Sequence, residues 1–472
     1  MRYLVIILIA AVAILVFLSP AWQGNSNAIV TTARPAGISE FEGNGQHLFY
    51  SNYSVGNLNL SLGSSIIVPP TAYDGMLLVD LSSMAGKSMG GAFAAVDIAT
   101  KTVIWKDKLP NQQMTEPIIA NGLAIIGVGN NNMWMWKGNS TDGMLRVIRG
   151  NGTNYVAAVN PSNGNLVWRF NTTGADMPTP VYYNGTVIFA TGGGNAYAVN
   201  ARTGNEIWKR SLFIRPYTII NSTDLNLTNV TAPGFFDSMS SLTISKGVVF
   251  FGVTDPGEFY AINASTGNIV WERRFQGAFG GTGGTSAAIF PQKNIIVTGY
   301  SGPQSHIGTT GGGQNSMNMA GNTMEKIIAP VIVGMNMSNG NVLWSFNESA
   351  GIQPTAPPIE IPPITIYNGI ALSDTPSGGR LYALNASSGA ELWNFRTGTD
   401  ASNPNVLGGY LFIDTANGTV YTLNIGGKLI SRHNFGVSMG PGEPLIFDGS
   451  LLLYGTNGNI RTVPLSYLEN GS

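Results

Sequence analysis

The chain has 472 residues, 43% of them apolar, with 24 Lys and Arg against 25 Asp and Glu for a formal net charge of −1. Charged residues make up only 10%, against roughly 25% in an ordinary globular protein, and no basic stripe offers itself to nucleic acid. Cysteine is absent, which excludes disulfides and thiolate chemistry alike.

Met1 and Arg2 precede an unbroken apolar run from Tyr3 to Leu18, then Ser19, Pro20 and Ala21. This reads as an export signal. With Trp22 as an interface residue the run approaches the ~20 residues needed to span a bilayer. Residues 1–22 are therefore expected to form a hydrophobic helix, either a cleaved signal peptide or a retained membrane anchor. Residues 23–40 follow as a linker and 41–472 as one large domain outside the membrane, since no second run of that length occurs.

The rest of the chain repeats one phrase six times: VDIATKTVIW to Trp105, VNPSNGNLVW to Trp168, VNARTGNEIW to Trp208, INASTGNIVW to Trp271, MNMSNGNVLW to Trp344 and LNASSGAELW to Trp393. Each copy predicts a strand, a tight polar turn and a second strand closed by the indole, which is a β-hairpin. Most copies follow another pair of strand signals, such as PVYYNGTVIFA from Pro180 and ITIYNGIALS from Ile364. A seventh, degraded copy starts at Leu423 and a last unit at Pro444. About four strands per unit and about eight units predict an all-β propeller.

The phrase A-h-N-x-x-T-G-x-h-h-W, with h apolar, resembles the tryptophan-docking repeat of the pyrroloquinoline quinone (PQQ) quinoprotein propellers. The resemblance covers nearly everything after residue 40 and implies an eight-bladed quinoprotein-like propeller. In that family the Trp of each blade packs on the neighbouring blade, which makes Trp105, Trp168, Trp208, Trp271, Trp344 and Trp393 structural. The segment GNGQHLFYSNYS from Gly43 is similar to the family's opening segment. That segment lends a strand to the final blade and leaves no free sheet edge at the seam.

Asn263, Asn336 and Asn385 begin N-x-S/T sequons at one position of the repeat, just before the hairpin turn. A glycan there would project from the rim, although a turn-forming Asn without sugar reads the same. Poverty in charge together with wealth in Asn, Ser, Thr and Gly fits an extracellular protein of an acidophile. In acid, protonated carboxyls no longer offset Lys and Arg, so a dense basic surface would repel itself.

Three insertions, at 130–153, 214–234 and 301–326, are expected to build the mouth of the central channel, with glycosylated spacers as the alternative reading. In the fourth unit, GFFDSMSS from Gly234 and FFGVTDPGEFYAIN from Phe250 are similar to the quinoprotein dehydrogenase segment that floors the quinone and ligates calcium. The resemblance sets Phe236 near the floor Trp and Asp255 near the calcium Asn. It also aligns Arg149-Gly150 with a polar contact near the cofactor. Elsewhere the pattern fails. The clamping cysteines cannot exist, Asn130 to Asn132 replace the calcium Glu, and FQGAFGGTGGTSAA from Phe275 lacks the catalytic Asp. PQQ and calcium are both disfavoured on this reading, and no metal is expected.

The expected mouth then holds Asp237, Asp255, Arg149, His306 and Arg146. Asp237 and Asp255 sit at the two ends of one strand pair, and each reads equally as a turn cap. His306 reads also as an exposed loop residue. The leading expectation is a cell-surface binding or scaffold module without quinone, held to the membrane by its N-terminal segment and presented to envelope proteins or polysaccharide. The alternative is a cofactor-free secreted hydrolase of a small anion, with Asp255 or Asp237 as general acid. Tetrathionate hydrolases of sulfur-oxidising acidophiles are similar in being extracellular, quinone-free propellers that rely on an Asp acid. A PQQ-dependent dehydrogenase comes third.

Overall fold

The structure is a computed structural model. It describes residues 40, 43–82, 90–113, 115–130, 133–137, 145–150, 152–176, 178–212, 216–219, 230–233, 235–236, 240–253, 258–275, 286–300, 331–347, 363–375, 379–399, 401–436 and 442–470. For 133–137, 145–149, 216–219, 230–233, 235–236 and 375 the description is of backbone alone. The chain divides into two compact units, Met1–Arg34 and Pro35–Ser472. The expected N-terminal helix, 1–22, lies outside the described residues, and so does the linker as far as residue 39. Among the described residues, no helix is long and apolar enough to cross a membrane.

The second unit is an eight-bladed β-propeller, almost all-β as the repeats predict. Blades 1 to 7 are four-stranded antiparallel sheets at residues 71–109, 118–171, 181–211, 243–274, 288–347, 365–396 and 405–434. We letter their strands A to D from first to last. Blade 8 takes three strands from 445–464 and its outermost strand from Asn59–Ser61, which pairs antiparallel with Asn459–Pro464. The segment from Gly43 lends blade 8 a strand as well, Tyr50–Ser51, which pairs in parallel at its inner edge, while the outer strand comes from further along the chain.

The cores lie between blades. Ile188 and Ala198 of blade 3, for example, share one apolar cluster with Val249, Phe251 and Tyr260 of blade 4. At the inner rim the entries to strand A of blades 2 to 5 are polar because each is spliced to the next. Glu116 N–H donates to Thr179 Oγ1 at 3.0 Å, Thr179 N–H to Ser241 Oγ at 3.1 Å, and Ser241 N–H to Ser286 Oγ at 3.0 Å.

All six repeat Trp dock as the repeat predicts. Each indole N–H donates to a carbonyl in the C–D turn of the following blade: Trp105 to Pro161, Trp168 to Ala201, Trp208 to Ala264, Trp271 to Met337, Trp344 to Ala386 and Trp393 to Ile425, at 2.8–3.1 Å. Trp168, Trp208, Trp271 and Trp344 are buried, while Trp105 and Trp393 are half-buried. The turn glycine of the receiving blade lies flat on the ring. A Cβ on Gly267 would come 2.6 Å from Trp208 Cε3, and its φ of +68° is itself one that side chains avoid.

The seventh copy lost its Trp for a visible reason. Blade 8 has no C–D hairpin, and the chain instead turns into the short helix Leu465–Glu469. Ser431 stands where the indole would be and its hydroxyl donates to Leu468 O at 2.5 Å. A carbonyl of that helix has replaced the missing turn.

The repeat Asn is a turn former wherever the side chain is described. Its Oδ1 accepts the N–H two residues on at Asn160, Asn200, Asn263, Asn336, Asn385 and Asn424. Asn160, Asn200 and Asn424 begin no sequon. The turn therefore accounts for the Asn, with or without a sugar at the other three.

Candidate functional site

The two ends of the ring differ. The A–B and C–D connections lie at one end and are short turns, such as Asn184-Gly185 and the stretch 264–268. The B–C connections and the links from blade to blade lie at the other. All three insertions belong to this second end: 130–153 joins strands B and C of blade 2, 214–234 joins blade 3 to blade 4, and 301–326 joins strands B and C of blade 5. A rigid scaffold that varies at one end only is the usual way a propeller carries a site.

Of the candidate residues, Arg146 and Arg149 lie on the strand Leu145–Arg149 and Phe236 on Phe235–Phe236. Asp237, Asp255 and His306 lie outside the described residues. The strand pair between Asp237 and Asp255, Thr243–Ser245 with Val248–Val253, is a hairpin, so its two chain ends lie side by side.

Arg149 and Phe236 are brought together through backbone. Met133–Lys137 and Leu145–Arg149 form a hairpin within the first insertion, and the latter strand pairs in parallel with Phe235–Phe236. Ile148 stands opposite Phe236, one residue from Arg149. The base of the hairpin is fixed by Gly150. With φ of +99°, and a Cβ that would fall 2.2 Å from Ala175 N, that position takes no other residue. The Arg-Gly pair therefore has a mechanical reason besides any contact the arginine makes.

At the calcium-Glu position, Asn130 is buried and its Nδ2 donates to Asn111 Oδ1 at 2.8 Å. Among the described residues, no group of three or more His, Asp or Glu is placed to hold a metal ion.

Sequence reasoning missed a set of buried acids in the half of the ring nearer the insertions. Asp80, Asp374 and Asp414 each stand five positions after the A–B turn glycine, in blades 1, 6 and 7. Glu116 and Glu443 each precede a proline six positions before that glycine, in blades 2 and 8, within TEPIIANG and GEPLIFDG. Five consecutive blades thus carry a buried carboxyl at one of two register positions. The signal was present as two spacings relative to a glycine, but at one residue per blade it is diluted over the whole chain.

These carboxyls sit at blade junctions. Ala401 N–H, at the entry to blade 7, donates to Asp374 Oδ2 at 3.3 Å. Ser82 Oγ lies 3.3 Å from Asp80 Oδ2 and reaches Gln113 O of blade 2 at 2.5 Å. Burial pushes the Asp80 carboxyl well above the ordinary carboxylate range, with Ser82 opposing. Asp414 is raised to about 7 by burial, less the help of Ser402. Beside Ala175, Asp176 is also pushed well above that range by burial, although Thr172 Oγ1 donates to it at 2.5 Å. Groups of this kind are neutral acids over a wide pH range, so they donate hydrogen bonds and do not repel an anion.

Residues 57–237, 231–357 and 329–430 match the family model described as outer membrane protein assembly factor BamB, a PQQ-like repeat family. The chain is 26% identical over 420 residues to the tetrathionate hydrolase of Acidithiobacillus ferrooxidans, covering 85% of this chain and 73% of that protein. It is 25% identical over 408 residues to the tetrathionate hydrolase of Acidianus ambivalens, covering 81% and 68%. Among solved structures, a europium-containing methanol dehydrogenase is similar at 10% identity with a TM-score of 0.58, over 90% of this chain and 89% of that one, which is a likeness of fold. The tryptophan-closed repeats, the eight-bladed ring and the matched span agree, and the chain belongs to the PQQ-like repeat family typified by the assembly factor BamB.

Proposed function

We propose that the protein is an extracellular, quinone-free hydrolase of a small sulfur oxyanion of the polythionate class, acting at the insertion-bearing end of the ring. The observation that carries this reading is the likeness to two tetrathionate hydrolases through 85% and 81% of the chain. The buried acids add physical support. Where burial keeps a carboxyl protonated, as at Asp80 and Asp414, a dianion meets no carboxylate to repel it.

In the step proposed, water attacks one sulfur of an S–S bond and leaves its hydroxyl there. The departing sulfur takes up a proton from the acid, and water's second proton restores the acid. Asp255 is the first choice for that acid and Asp237 the second, while Arg149 orients the anion through charge-assisted hydrogen bonds.

The test is turnover of tetrathionate and related polythionates at about pH 2, where carboxyls are protonated, in wild type and Asp255→Asn. A fall of about a hundredfold or more in the variant is expected. Undiminished turnover removes Asp255 from the mechanism. A folded wild type without activity favours the second reading, which the family match supports: a scaffold that presents its insertion end to envelope proteins or polysaccharide. Under either reading, added PQQ and calcium should give no stoichiometric quinone uptake and no dye-linked dehydrogenase activity, because the clamp and the calcium Glu are missing.

A further inference from the structure

A buried carboxyl with one oxygen unpaired is a costly place for a negative charge, and Asp176 is such a group at the root of the first insertion. It lies in the link from blade 2 to blade 3 and is 1% exposed. Thr172 Oγ1 donates to its Oδ2 at 2.5 Å, while Oδ1 has no hydrogen-bond partner among the described residues.

The link is seated in a space that three glycines of blade 2 leave open. A Cβ on Gly127 would come 2.5 Å from Asp176 O and 3.0 Å from Asp176 Cβ, and one on Gly129 would come 2.6 Å from Ala175 Cα. A Cβ on Gly150 would fall against Ala175 N. Gly129 directly follows strand B of the blade and Gly150 directly follows Arg149, so Ala175-Asp176 is wedged between the two legs of the insertion. Backbone bonds hold the wedge from both sides. Thr172 N–H donates to Asn154 O of blade 2 at 3.1 Å, and Gly192 N–H of blade 3 to Ala175 O at 2.9 Å.

The ionisable surroundings come from four elements. In blade 3, Tyr197 has its pKa pushed up to about 12, by burial first and then by the Asp176 and Glu206 charges, and Lys209 lies over its ring at 5.4 Å. At the entry to blade 2, Glu116 follows Thr115, whose Cγ2 would lie 2.7 Å from the same Cβ on Gly127. Arg169 of the outer strand of blade 2 is engaged with Asn171 Oδ1 and the Tyr155 ring. Arg149 is the charged residue next to Gly150 on the insertion leg. Burial is the largest influence on Asp176 and holds its carboxyl well above the ordinary carboxylate range, with Thr172 opposing.

We propose that Asp176 is an acid-dependent clasp for the first insertion. Neutral, its link stays wedged between the two legs, and the hairpin that carries Arg149 is docked on the ring. Ionised, the link leaves the wedge to reach water, and the root of the hairpin loosens. The device works in the same way whether the insertion end meets a substrate or a partner, and it confines the docked form to acid.

The test is hydrogen exchange of the intact protein, read by mass spectrometry on peptides and corrected at each pH for the intrinsic chemical rate. From about pH 4 to pH 7, exchange in segments 123–130 and 172–176 should rise by about tenfold or more beyond that of a peptide covering 445–464 in blade 8, the mark of a local opening. Asp176→Asn keeps the shape and cannot ionise. In that variant both segments should rise only as far as the blade 8 peptide does. Thr172→Val removes the donor that favours the charged form, so release should move to higher pH. An excess rise in Asp176→Asn equal to that of wild type would overturn the proposal. So would a wild type in which the two segments and the blade 8 peptide rise together, since that is unfolding of the whole ring.

Discussion

Unfolded by urea at a series of pH values, the protein should be most stable in acid, at about pH 4 or below, and should lose several kcal/mol between there and pH 7. The cause is the set of buried carboxyls that the fold keeps protonated. Asp414 has its pKa raised from 3.8 to about 7, and Glu40 from 4.5 to about 7, both by burial. A group whose folded pKa is raised binds its proton more tightly in the native state. Its contribution is complete below the unfolded value and is lost as pH climbs through the folded one. Each of these two groups accounts for roughly 3–4 kcal/mol across that window. Asp80 and Asp176 act in the same direction.

His47 opposes them on the acid side. Burial lowers its pKa from 6.5 to about 4, with its hydrogen bond to Ile364 pulling the other way. Its contribution is complete above 6.5 and is lost as pH falls through 4, at a cost of roughly 3 kcal/mol. One histidine against several acids leaves the optimum acidic. Since domains are stable by only about 5–15 kcal/mol, the swing is large enough to decide whether the ring holds at neutral pH. Asp414→Asn, which keeps the shape and cannot ionise, should flatten the neutral limb and leave the acid limb alone. A wild type whose stability rises from pH 4 to 7 would refute the account.

The ring was legible in the sequence because its determinants recur. A Trp, a turn Gly and a turn Asn at fixed spacing occur often enough to be read without a structure, and all three have a single physical cause, the docking of one blade's last strand on the next blade's turn. The exception at Ser431 was legible only as degradation. Its reason is a helix standing in for the absent turn, which depends on Leu468, 37 residues further along, and on a strand lent from Asn59–Ser61.

The site was much less legible. Asp80, Asp374 and Asp414 share a register that counts only once the blades are superposed, and each has an unremarkable local sequence. Glu40 and His47 have no repeat partner at all. Their importance comes from contacts between distant parts of the chain, which link residue 40 to residue 244 and residue 47 to residue 364. Arg149 and Phe236, by contrast, were chosen by resemblance, and the backbone sets them one residue apart on neighbouring strands.

Replacing one docking Trp should cost on the order of 3–5 kcal/mol, and the position predicts the rank. Trp168 and Trp271, 7% and 9% exposed, should lie near the upper figure as alanine variants. Trp105 and Trp393 are half-buried and should lie below it. The loss has two parts, the apolar contact with the next blade and the indole hydrogen bond to a turn carbonyl that then has to find water. Trp168→Phe separates them, since it keeps most of the ring and forfeits the bond to Ala201 O, and should cost about 1–2 kcal/mol. A closed ring also makes the loss non-local, because each blade is held from both sides. Trp271→Ala should therefore lower one cooperative denaturant midpoint and not create a separate early transition. Costs below about 1 kcal/mol at Trp168 and Trp271, or equal costs at all six positions, would show that the strands lent to blade 8, and not the indoles, hold the ring closed.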